Sequence, residues 1–84
     1  MKYRTRNMTE AAALLADETI KTNYESLEPT NKPNIFKFVI ATDASPEDFD
    51  TWVAAYVNNE TMVRPKRYDE QLNMLRDRVN IAKN

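Results

Sequence analysis

Four carboxylates crowd one short stretch of the chain, Asp43, Glu47, Asp48 and Asp50. Hard cations such as calcium and magnesium are held by oxygen ligands of this kind. The spacing fits no calcium loop, however, and acids that come after Ser45-Pro46 stand where a helix N-terminus attracts negative charge through its dipole. The cluster therefore reads as a helix start. A two-carboxylate hydrolase is the remaining enzyme idea, but three helices laid on one small sheet leave little room for a substrate pocket. Other chemistry falls away on composition. The chain has no histidine and no cysteine, so imidazole-based triads, thiolate nucleophiles and the usual zinc sites cannot be built. It has no glycine either, which removes the phosphate-cradling loops of nucleotide-dependent enzymes. Ser26 falls in an expected strand and Ser45 at an expected helix cap. No catalytic residue, cofactor or metal ligand is assigned.

What remains is binding, and the basic residues are its first candidates. Residues 1–6 carry a net charge of +3, residues 7–60 a net charge of −7 and residues 61–84 a net charge of +3. If the two ends meet in space, Lys2, Arg4, Arg6, Arg64, Lys66, Arg67, Arg76 and Arg78 form one positive surface for phosphates. Tyr3 or Tyr24 would then stack a base on the exposed sheet face. Against this, basic side chains beside an apolar helix stripe commonly lay their stems on the core edge and keep their heads in water. Interleaved acids would favour a protein partner, and an unbroken basic face would favour nucleic acid.

Met74 and Ile81 form a second candidate surface. They lie seven residues apart, outside the main apolar stripe of the last helix, on one line of it. Such a pair is a candidate homodimer seam or partner-binding site, although single exposed apolar residues are ordinary.

The elements that position these residues can be read from pattern and punctuation. Tyr3 and Thr5 alternate with charged residues as in a short strand. Asn7-Met8-Thr9-Glu10 has the form of a capping box, with Glu10 reaching back to the Asn7 amide, so a helix begins at Met8 and fades at Asp17 or Glu18. Its apolar stripe is Met8, Ala11, Ala12 and Leu15. A half-buried strand is expected from Thr19 to Leu27, and "IFKFVIAT", residues 35–42, is the clearest strand. Between them "EPTNKPN" turns the chain into an antiparallel hairpin. Without glycine, asparagine is the residue for positive-φ positions, and Asn31, Asn34, Asn58 and Asn59 all stand at connections.

Ser45 as N-cap and Pro46 at the first helical position open a second helix, with Phe49, Trp52, Val53, Tyr56 and Val57 on its buried face. Asn58-Asn59 ends it, and "ETMVRP" is expected to be extended ahead of Pro65. A closing helix comes next, with Tyr68, Leu72, Leu75, Val79 and Ala82 on one face. The expectation is one α+β domain over residues 1–84, order β-α-β-β-α-α: a small antiparallel sheet with three helices covering one face.

"YRTRNMTEAAALLA", the "FKFVI" strand, the acidic-start aromatic helix ending "YVNNE", the short "V-R-P" and the closing "LNMLRDR" together resemble a family of small uncharacterised phage and prophage proteins. The resemblance spans nearly the whole chain. Relatives of that family carry a glycine after the first helix and near the end of the second, where this chain has Glu18 and Asn58-Asn59. It implies a phage-encoded accessory protein and carries no activity or functional residue with it.

No run of the sequence reaches the ~20 apolar residues of a membrane helix, and no secretory leader pattern is apparent, so a bacterial cytoplasm is the expected setting. Two function classes stay open. One is a non-enzymatic protein that binds a host or viral protein, with a homodimer as a candidate assembly. The other is a small nucleic-acid-binding protein using the basic residues of both ends.

Overall fold

The computed structural model describes residues 1–58 and 63–83. Element order is β1 (Lys2–Thr5), α1 (Met8–Ala16), β2 (Thr22–Pro29), β3 (Phe36–Thr42), α2 (Pro46–Val57) and α3 (Pro65–Lys83). This is the expected α+β order. The three strands form one antiparallel sheet in the order β1-β3-β2, so the last strand in sequence sits at the centre. β1, α1 and β2 thus form a crossover whose two strands are held apart by β3.

Register explains which side chains share a face. Tyr3 and Tyr24 both stand opposite Ile40, while Arg4 and Ser26 stand opposite Val39. A bulge between Tyr24 and Ser26 inserts Glu25. One extra residue flips the parity of the strand beyond it, so Tyr24 and Leu27, three apart, both face the core. The strand begins at Thr22 rather than Thr19. The cause is Asp17, whose carboxylate accepts hydrogen bonds from the backbone N–H and the hydroxyl of Thr19 and folds residues 17–20 into a turn.

α1 is the centre of the fold. Asn7 caps it, its side-chain oxygen accepting from the backbone N–H groups of Thr9 and Glu10. Only half of the expected capping box forms: the Asn7 amide donates to the Thr5 hydroxyl, and the Glu10 carboxylate instead receives the hydroxyl of Tyr3. Every residue from Ala11 to Ala16 is buried, so the helix has no solvent stripe. Its all-apolar "AAALLA" run permits this, and the alanines let backbones approach closely. The sheet lies beneath α1, α3 packs along it, and α2 reaches it through Tyr56 to Thr9 and Trp52 to Asp17.

α2 starts as expected, with Ser45 Oγ accepting from the Asp48 N–H and Pro46 in the first turn. Phe49 and Trp52 are buried and Tyr56 is half-buried, but Val57 in the last turn is 70% exposed, outside the expected buried face. Tyr3 and Phe49 lie 4.7 Å apart by ring centroids, and Trp52 stacks on Tyr56 at 5.4 Å. This aromatic ladder joins α2 to β1. In α3, Leu75 is fully buried and Tyr68, Leu72 and Val79 pack on the core, whereas Ala82, in the last turn, is exposed, outside the expected buried face.

Among the described residues one non-glycine position has positive φ, Asn34 at 63°, in the hairpin turn. Asn58, at φ −89°, caps α2 without it. Asn59 and the first half of "ETMVRP", Glu60, Thr61 and Met62, lie outside the described residues; Val63 and Arg64 are non-helical and Pro65 begins α3. No described helix is long and apolar enough to cross a membrane.

Candidate functional site

The helices cover one face of the sheet and leave the other to side chains. On that open face Lys2 Nζ lies 3.0 Å from a Glu25 oxygen, and Arg4 Nε lies 2.7 Å from Glu28 Oε1. Both pairs bridge from β1 to β2 across β3. Val39, which strand alternation places on this face, is only 2% exposed and stands outside the helix-side core cluster. It is covered by these charged side chains, whose stems serve as its roof.

Three basic residues of the other end, Arg64, Arg67 and Arg78, are also engaged. Arg67 Nε donates to the Ala16 carbonyl at 3.2 Å, meeting the C-terminal end of α1, where free carbonyls and the dipole favour a cation. Glu18 stands between Arg67 Nε, at 3.5 Å, and Arg64 Nε, at 3.9 Å. Arg78 lies over the Tyr24 ring, 5.9 Å from its centroid. Arg6, Lys66 and Arg76 are exposed and form no ion pair among the described residues. Acids therefore interleave Lys2, Arg4, Arg64 and Arg67.

The tyrosines are not where a base could stack on the open face. Tyr3 faces the helices, against Phe49 and Glu10, and Tyr24 lies on the same side under Arg78. The parity of β1 and β2 relative to Ile40 fixes this. Burial, then the hydrogen bond and charge of Glu10, push the Tyr3 phenol up to about 12. Burial also raises that of Tyr24, and Arg78 opposes it.

Met74 and Ile81 part company. Met74 is half-buried and packs against the core, its unbranched side chain reaching round the flank of α3, whereas Ile81 is 68% exposed. They do not make one exposed line.

An open cleft of about 660 Å³ lies between α2 and the α1–β2 connection, lined by Asp17, Asp43, Asp48, Lys21 and Trp52. Asp17 is buried there, but both its oxygens are taken: Oδ1 by the N–H and hydroxyl of Thr19 and Oδ2 by Trp52 Nε1. Its role is to tie helices together. Among the described residues no three carboxylates converge in a way that could hold a metal ion. Sequence reasoning missed Asp17, because its partner lies 35 residues away and nothing local marks it.

Comparison of the chain with family models, with curated proteins and with solved structures finds no match.

Proposed function

We propose that this is a non-enzymatic accessory protein, of the phage and prophage kind its motifs resemble, that works by binding a host or viral protein in the bacterial cytoplasm. The observation that supports this reading is the alternation of acid and base on the open sheet face, Lys2 with Glu25 and Arg4 with Glu28. A polyphosphate backbone is bound by uncompensated cations that release counterions, and a cation already paired with a carboxylate offers less of that. A face of mixed sign instead gives orientation and discrimination against a protein of complementary pattern.

A second reading, nucleic-acid binding, is favoured by one observation: Arg6, Lys66 and Arg76 are exposed and unpaired among the described residues. It has fewer cations to draw on than the sequence promised.

A photoreactive phenylalanine analogue at Asn23, on the open face, tests the proposal in the cells that normally express the protein. The expected result is a discrete cross-linked protein band that disappears when Glu25 and Glu28 are both changed to lysine. A band indifferent to that change, or none, counts against it.

A further inference from the structure

At the opposite end from the Trp52 cleft, where the β2–β3 hairpin meets the last turns of α3, lies a second groove of about 280 Å³. Met8, Phe38 and Val79 form its apolar lining, Ile35 its rim, and Arg6 and Lys83 stand at its margin. Its volume is below the range of cofactor and substrate pockets, and it has room for one bulky aliphatic or aromatic side chain, the form of an interface anchor. Ile35 keeps 38% of its surface exposed, and the positive φ of Asn34 sets the turn that presents it.

The charges around this groove differ from those of the open face. Lys2 and Arg4 each meet a glutamate, but Arg6, the next cation along the same segment, forms no ion pair among the described residues, and neither does Lys83. An apolar slot flanked by two cations that form no ion pair among the described residues is complementary to an apolar side chain flanked by carboxylates. We propose that this groove is a second contact for the partner of the open face, taking an acidic peptide segment of it that inserts one large apolar side chain between Arg6 and Lys83. The proposal rests on the protein-binding reading above. Burial of the apolar side chain supplies the contact energy, and the two cations steer the approach and fix its direction.

The test is fluorescence anisotropy with a labelled peptide, Glu-Asp-Glu-Phe-Glu-Asp-Glu, titrated with the intact protein. Saturable binding is expected, weakened at least about tenfold by Arg6→Glu or Lys83→Glu and comparably by replacing the peptide's phenylalanine with alanine. Arg76→Glu, the same charge change elsewhere on α3, is expected to leave the affinity within about twofold, because an exposed charge far from the contact acts only through a screened field. All three are surface substitutions, and far-UV circular dichroism verifies their fold.

No binding overturns the proposal. So does affinity indifferent to the phenylalanine, which marks a general polyanion site. Equal loss in Arg76→Glu overturns it too. A chain that sediments as a dimer and becomes monomeric on Ile35→Asp assigns the groove to a second copy and likewise overturns it. A cross-link from Asn23 that persists while the peptide fails to bind removes the groove and keeps the protein-binding reading; loss of both removes both.

Discussion

Trp52 Nε1 donates to Asp17 Oδ2 at 2.7 Å in the buried space between α2 and the end of α1. This bond joins the only tryptophan to the one buried carboxylate among the described residues. A chain of this length is held by roughly 4–12 kcal/mol in all, so each partner matters. Trp52→Phe keeps most of the apolar contact but strands Asp17 Oδ2, and is expected to cost about 1–3 kcal/mol. Trp52→Ala adds a cavity and should cost about 3–5 kcal/mol. Urea unfolding at unchanged m-value measures both. A Trp52→Ala variant within about 1 kcal/mol of the parent would contradict the placement of α2.

The Tyr3 phenol gives a pH signature. Its value in the fold is about 12 against an ordinary 10.0. Between those limits the folded chain keeps a proton that the unfolded chain releases. The stability tied to Tyr3 is therefore whole below pH 10.0 and is lost as pH rises toward about 12. Unfolding midpoints taken through that window should fall for the parent and fall less for Tyr3→Phe. A phenolate absorbance titration in which all four tyrosines ionise together near the ordinary value, with the fold intact, would speak against the Tyr3 environment.

On the open face the charged roof and the residue beneath it should contribute unequally. Arg4 and Glu28 are both close to half exposed, so a double-mutant cycle between them is expected to give less than about 1 kcal/mol. Val39→Ala removes two buried methyl groups at roughly 0.8 kcal/mol each and leaves a small void, about 2 kcal/mol in all. The reverse order of magnitudes would mean that Val39 is not packed under that roof.

The hairpin turn depends on one backbone angle. Asn34 holds φ at 63°, so Asn34→Gly should be neutral or slightly stabilising, and Asn34→Ala should cost about 1 kcal/mol. Thermal unfolding of the two variants side by side decides it, and equal midpoints would place the turn in another conformation.

The sequence was most informative where the physics is local. Asn7, Ser45-Pro46 and Pro65 mark the three helix starts because caps and proline act within a turn of the residue that carries them. The "FKFVI" alternation marks β3 for the same reason. The features that stayed hidden depend on topology. The order β1-β3-β2 sets Lys2 beside Glu25 and Arg4 beside Glu28, which no spacing along the chain discloses. Glu10 chose Tyr3 over the Asn7 amide because β1 lies beside the start of α1. The bulge at Glu25 reversed the parity by which Tyr24 and Leu27 share a face. The two tyrosines left the open face of the sheet by the same logic. The groove between Arg6 and Lys83 joins residues from both ends of the chain, and only the closing helix brings them together.

The central claim, that the arginines and lysines serve a mixed-charge protein surface rather than a phosphate site, is tested most directly by titrating the protein into labelled single- and double-stranded DNA and RNA across a salt series. Weak attraction that vanishes near physiological salt, equal in the parent and in an Arg64, Arg67 and Arg76 triple alanine variant, is the expected result. Saturable binding that weakens steeply with salt, with a slope reduced by about 3 in the triple variant, would contradict the account and make those arginines phosphate ligands.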